Sequence, residues 1–146
     1  MTTIRVATRA DADALGNLSG QLGYPVDAAN ALRRLDRVTS HQAGVVLVAV
    51  DVRGTPSGFV HVQPRYLLIA EPFAEIVALV VAEAARGQRV GSALLAAVEA
   101  WAREQGLASV HVRSNILRER AHRFYLCEGY AEEKRQAVFV RQLRAG

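Results

Sequence analysis

Cysteine is nearly absent from this chain. Cys127 is the only one in 146 residues, which excludes an internal disulfide and suits a reducing cytoplasm; it reads as a packing residue. Lysine is equally scarce: Lys134 stands alone, so the net charge of +4 rests on arginine. Those arginines are dispersed, with no basic tail or arginine-rich run, and nucleic-acid binding is not expected. The longest apolar stretch, Ile76–Ala82, is far too short to cross a bilayer. No H-x-x-H or Cys/His cluster offers metal ligands, so no metal is expected. No signal-peptide pattern opens the chain. The expectation is a single cytoplasmic domain over 1–146, long enough to bury a proper core.

What is present is alternating secondary structure. Ile4–Thr8 alternates as a strand, and Asp11 or Asp13 opens a helix to about Leu22. A turn at Gly23-Tyr24-Pro25 breaks it, and a second helix begins near Asp27. Val45–Val52 is a buried strand, and the RGTPSG turn at Arg53–Gly58 returns the chain as an antiparallel partner over Phe59–Leu68. A strand at Phe73–Val81, a helix over Val90–Gln105 and a strand at Ser109–Arg113 follow. A helix over Arg118–Glu128 and a closing strand at Gln136–Leu143 complete the pattern. The order βααβββαβαβ implies an α+β fold, a mixed and mostly antiparallel sheet flanked by helices, with one parallel crossover in its second half.

The chemistry concentrates at Ala74–Leu95, AEIVALVVAEAARGQRVGSALL. A buried strand leads to the loop Arg86-Gly87-Gln88-Arg89-Val90-Gly91-Ser92, which opens an amphipathic helix. Free N–H groups at a helix start and the helix dipole favour an anion there. The Walker pattern fails, because no Lys-[Ser/Thr] pair follows Gly91, and R-G-x-R-x-G is not the dinucleotide G-x-G-x-x-G. The loop instead resembles the acyl-coenzyme A pyrophosphate loop of the GNAT superfamily of N-acetyltransferases, [RQ]-x-x-G-x-[GA]. Arg86 and Gly91 match its ends, and Arg89 replaces its middle glycine. If position 89 needs a left-handed backbone, arginine there costs roughly 1–2 kcal/mol.

A second stretch, Ser114–Tyr130, resembles that family's C-terminal signature: Asn115 at a strand end, then a helix with Ala121, Phe124, Tyr125, Gly129 and Tyr130. Together the two motifs cover about half the chain. The resemblance implies a GNAT-like fold whose strands splay at the acyl-coenzyme A site. It also implies acetyl-coenzyme A as acyl donor, bound by the backbone of Leu79, Val80 and Val81, by the loop Arg86–Ser92, and by the motif residues Ala121 and Phe124. Asn115 either meets the cofactor or caps the following helix. Tyr125 would protonate the departing thiolate, a role suited to a phenol titrating near ~10. Glu75 is the leading general base, unless it is only an exposed glutamate at a strand entrance; alternation groups it with Val77, Leu79 and Val81 unless a bulge intervenes. His61 and His122 read as structural.

The implied activity is direct acetyl transfer to a primary amine, of a small molecule or a protein. The alternative is a non-catalytic acyl-coenzyme A sensor. Gln21–Asn30 would select the acceptor, with Tyr24 and Asp27 serving either as ligands or as a turn and a helix cap. A homodimer through Val138, Phe139 and Val140 is a further expectation.

Overall fold

A computed structural model of the protein describes residues 2–114 and 117–144. The chain forms two compact units, residues 1–113 and 114–146. The first carries five strands: β1 (Thr3–Val6), β2 (Val45–Val50), β3 (Pro56–Leu67), β4 (Ala70–Val81) and β5 (Val110–Val112). They lie in the order β1-β2-β3-β4-β5. The first four pair antiparallel, and β5 joins β4 in parallel. A parallel pair needs a crossover, and α3 (Val90–Glu104) supplies it. The helices α1 (Ala12–Gln21) and α2 (Ala28–Ser40) connect β1 to β2.

The sheet has two apolar faces. Leu15 and Leu18 of α1 and Leu35 of α2 bury against Val46, Val48, Val50, Phe59 and Val80. On the opposite face, Val90, Leu94, Leu95 and Val98 of α3 are at most 2% exposed. At roughly 1.5–3 kcal/mol each, burying these four side chains fixes α3 more firmly than helix propensity does. Gly58 lets the helix approach: a Cβ there would sit 3.2 Å from Val90 Cγ1 and 3.3 Å from Leu94 Cδ1. Asp27 caps α2, its carboxylate accepting the Asn30 N–H at 2.7 Å. Of the two roles open to Asp27, the cap is therefore realised.

At the start of the sheet, Arg5 grips the buried carboxylate of Asp11 through two bonds of 2.8 and 2.9 Å. The Thr8 N–H adds a third at 2.7 Å. These donors, the Arg5 guanidinium first, hold the Asp11 carboxyl below its usual range.

The second unit holds α4 (Glu119–Cys127). It ends in a Schellman turn: Gly129, at φ 91°, donates to Leu126 O, and Tyr130 donates to Tyr125 O. The closing strand expected at Gln136–Leu143 does not form; the segment carries no regular secondary structure. Val138, Phe139 and Leu143 are 81%, 93% and 92% exposed. Its apolar pattern is that of a strand, but a strand also needs a neighbouring edge to satisfy its backbone. Cys127, expected to pack, is exposed. Among the described residues no helix is long and apolar enough to cross a membrane.

Candidate active site

The site of the first unit is organised by β4. Its partner β5 pairs with only three residues, Ala74, Ile76 and Glu75 between them, while β4 runs on to Val81. From Val77 onward, β4 is therefore laddered to β3 alone among the described residues. A strand edge left in this way presents N–H and C=O groups to any extended molecule with matching amides. Leu79, Val80 and Val81 lie on this stretch.

The same strand is bulged. His61 pairs with Ala78 but Val62 pairs with Ile76, so Val77 is the extra residue. The bulge reverses the alternation beyond it. Val80 packs with Phe59 in the core beneath α1 and α2, while its neighbour Val81 pairs with Gly58, which faces α3. Glu75 thus shares a face with Ala78 and Val80, not with Leu79 and Val81 as unbroken alternation would have it.

Glu75 is buried, not exposed at a strand entrance, at 5%. Each of its oxygens is taken: Arg113 Nε donates to Oε1 at 2.9 Å, and Arg65 Nη1 to Oε2 at 3.3 Å. Neither arginine stands out in the sequence. They meet only through the strand register, which sets Gln63 and His111 on either side of Glu75.

After β4, a short 3-10 turn at Glu83–Ala85 leads into the loop. Gln21, at the end of α1 and the first residue of the segment expected to select the acceptor, holds the turn by accepting the Glu83 N–H on Oε1 at 2.9 Å. Arg86, Gly87, Gln88 and Arg89 are exposed, whereas Val90 and Gly91 are buried. Gly87 adopts φ 84°, and Arg89 is left-handed at φ 61° and ψ 25°. The glycine-favouring backbone is therefore retained where arginine replaces the glycine. Arg89 is also the N-cap of α3 and makes no side-chain capping bond. Ala93 donates to Arg89 O at 3.1 Å, which leaves the N–H groups of Val90, Gly91 and Ser92 ahead of the first helical bond. An exposed loop with two arginines, opening onto uncapped helix donors, is chemically fitted to a phosphate.

In the second unit, α4 carries Ala121, Phe124 and Tyr125. Tyr125 meets Phe124 edge-on at 5.2 Å between ring centroids and Tyr130 at 6.0 Å. The Schellman turn explains the glycine-aromatic end of the motif, because it folds Tyr130 back beside Tyr125. Burial pushes the Tyr125 phenol up to about 12. Asn115 lies outside the described residues.

Two histidines are accounted for structurally. His61 Nε2 meets Ala43 O at 3.1 Å, and the His111 ring stacks on Phe73 at 3.9 Å. A cavity of about 500 Å³ bounded by Val6, Leu35, Val38, Val46, Tyr66 and Trp101 lies at the other end of β3 from Gly58, the partner of Val81.

Comparison with known proteins agrees with this geometry. The family model described as Acetyltransferase (GNAT) family matches residues 17–130. An aminoglycoside N(6')-acetyltransferase type 1 of Stenotrophomonas maltophilia is 33% identical over 141 residues, covering 94% of this chain and 91% of that protein. An aminoalkylphosphonate N-acetyltransferase of Salmonella typhimurium is 50% identical over 58 residues, 40% of this chain and 38% of that protein. Among solved structures, an aminoglycoside antibiotic 6'-N-acetyltransferase of Acinetobacter baumannii superposes with a TM-score of 0.86 at 16% identity. That match covers 98% of this chain and 99% of the other, and bears on the fold. With the family matched across most of its length and a relative aligned nearly end to end, the chain belongs to the GNAT family of acetyltransferases and is an acyltransferase.

Proposed function

We propose that this chain transfers the acetyl group of acetyl-coenzyme A to the primary amine of a small-molecule acceptor, by direct attack and without a covalent enzyme intermediate. The observation that carries the reading is the half-unpaired edge of β4 running into the uncapped start of α3. Both named relatives support an amine acceptor, an aminoglycoside in one and an aminoalkylphosphonate in the other.

Acetyl-coenzyme A, when bound, supplies a thioester carbon as electrophile and a thiolate as leaving group. The backbone of Leu79, Val80 and Val81 pairs with the amides of its extended arm. The N–H groups opening α3, with Arg86 and Arg89, hold its pyrophosphate. The amine nitrogen attacks the thioester carbon; the C–N bond forms, the C–S bond breaks, and its electron pair goes to sulfur. Tyr125 attends the sulfur. With its phenol at about 12, full proton transfer to a thiolate of ordinary acidity is uphill by roughly 5 kcal/mol. Tyr125 therefore stabilises the thiolate chiefly by donating a hydrogen bond. Both Glu75 oxygens are engaged by guanidinium donors, so the amine's proton goes to water in preference to this carboxylate, and Glu75 acts as a positioning residue.

The test is acceptor-dependent release of coenzyme A thiol over an amine panel that includes aminoglycosides and aminoalkylphosphonates, with a no-acceptor blank and Tyr125→Phe. Release that depends on the acceptor and drops in the variant supports the reading. Tight acetyl-coenzyme A binding with no release on any amine would replace it with a binding-only module.

A further inference from the structure

The hairpin joining β3 to β4 carries apolar surface at its tip. Leu67 pairs with Ala70 across a two-residue turn, Leu68-Ile69. Such turns favour glycine, asparagine and aspartate, so two large aliphatic residues bring no turn chemistry there. They bring area: Leu68 is 103% exposed, Ile69 91% and Tyr66 71%. From Tyr66 to Ala70 no residue is charged. Apolar residues scattered singly over a surface are ordinary, whereas three together at one turn mark a contact.

The same end of the first unit carries the cleft of about 500 Å³. It passes the corner of the sheet where β1 stops: Val6, the last residue of β1, pairs with Leu47, so Val45 and Val46 lie past that end. Leu35 and Val38 of α2 and Trp101 of α3 also line it, and no charged side chain does among the described residues. Tyr66 belongs to both features. It lines the cleft and stands two positions from Leu68, about 7 Å along a strand. Knob and hole are therefore neighbours on one surface.

A surface that holds a knob beside its own hole is complementary to itself about a two-fold axis, each copy inserting into the other. We infer that the chain forms a symmetric dimer in which Leu68 and Ile69 of each copy fill the cleft of the other, against Val38 and Trp101. Area and charge both fit this occupant. Counted on both copies and on the surfaces that receive them, the three exposed side chains bury roughly 1,200–2,000 Å², the range of stable interfaces. Neither knob nor hole strands a charge on closing. The charges flanking the turn favour protein over an anionic lipid surface: Arg65 is engaged by Glu75, while Glu71 is exposed and negative. The dimer stands or falls apart from the acetyl-transfer reading.

Sedimentation velocity up to about 100 µM, well above the micromolar dissociation constants of weak interfaces of this size, tests the dimer on four proteins. They are the wild type, Leu68→Asn combined with Ile69→Gly, Thr39→Trp, and Phe139→Ser. The first variant removes the knobs and suits a two-residue turn. Thr39 is an exposed lining residue, so the bulkier ring blocks the hole without touching the tip. Phe139→Ser alters the rival apolar segment near the C-terminus. The expected result is a dimeric wild type whose dissociation constant rises at least about thirtyfold in the tip and cleft variants and holds in Phe139→Ser. Circular dichroism melts check that each variant is folded; if the turn variant is not, Thr39→Trp decides.

A wild type that stays monomeric throughout overturns the inference, as does a dimer that persists in a folded tip or cleft variant. A dimer lost only in Phe139→Ser moves the contact to the C-terminal segment and overturns it as well. So do monomers that bind phosphatidylcholine vesicles through Leu68 and Ile69, which would make the tip a membrane contact.

Discussion

Arg89 sets backbone strain against charge, and the two can be separated by substitution. Its φ of 61° and ψ of 25° are left-handed, which costs a residue with a Cβ atom roughly 1–2 kcal/mol. Arg89→Gly relieves that strain but gives the unfolded chain more freedom, a loss of about 0.4–1 kcal/mol. The net expectation is a gain near ~0.5–1 kcal/mol, or a Tm rise of roughly 1–4 °C for a chain of this size. The same change removes a cation from the exposed loop. A hydrogen bond to a charged partner is worth about 1.5–3 kcal/mol. Solvent reduces that at an exposed site to about 1 kcal/mol, so acetyl-coenzyme A affinity should fall roughly fivefold to tenfold. Arg89→Ala separates the effects, because it loses the cation and keeps the strain. It should bind as weakly as the glycine variant yet be less stable by about 1 kcal/mol. Thermal denaturation without ligand and calorimetric titration with acetyl-coenzyme A, on all three proteins, decide the matter. Equal stability of the alanine and glycine variants would refute the strain. Undiminished affinity in both would remove Arg89 from the phosphate site.

Three more expectations follow from the geometry. Tyr125→Phe should lower kcat by about 100-fold with little change in the KM for acetyl-coenzyme A. Because burial raises the folded phenol to about 12 above an unfolded value near ~10, Tyr125 stabilises the fold fully below ~10 and progressively less as pH rises toward 12; alkaline denaturation of the variant should lack that loss. Asp11→Ala removes a buried partner of Arg5 and should cost roughly 2–4 kcal/mol in urea denaturation at neutral pH. The Asp11 carboxyl is held low, so its contribution is present above the unfolded value near ~3.9 and is lost as pH falls below it; wild type and variant should converge in acid. Gly58→Ala puts a Cβ 2.7 Å from Val80 O and against Val90 and Leu94. It should destabilise by roughly 1–3 kcal/mol and raise the KM for acetyl-coenzyme A by displacing the start of α3.

Much of the framework was legible in residue periodicity and turn chemistry. The strand–turn–strand of β2 and β3, the α3 stripe of Val90, Leu94, Leu95 and Val98, and the Asp27 helix start all announce themselves locally. The loop was legible as well, down to the strain at Arg89, because glycine patterns report backbone dihedrals directly. The Glu75 cluster was not. Arg65 and Arg113 are separated along the chain by a hairpin and a whole crossover helix, and only the β3–β4 and β4–β5 registers bring them to one carboxylate. The missing strand at Gln136–Leu143 failed for the complementary reason: alternation in Val138 and Val140 describes a face, but pairing depends on an edge elsewhere in the chain.

The bulge at Val77 shows why such a site resists reading from one segment alone. In Ala-Glu-Ile-Val-Ala-Leu-Val-Val nearly every residue is apolar, so inserting one extra position leaves the hydrophobic pattern unchanged. Its structural effect is large. Val77 follows directly on Ile76, the last residue of β4 paired to β5, and the register with β3 slips at the same place. One residue therefore ends the parallel ladder and frees the edge of the strand beyond it. It also turns Val80 onto the face that already carries Glu75. Without the slip, Leu79 and Val81 would share the face of Glu75, and Val80 would leave the core beneath α1 and α2. The bulge thereby lets a single strand combine a guanidinium-bound carboxylate at one end, a core residue at the other and an open backbone edge between the ladder and the phosphate loop. That combination is what the proposed acetyl transfer draws on: an open main-chain edge for the donor, running directly into the phosphate loop.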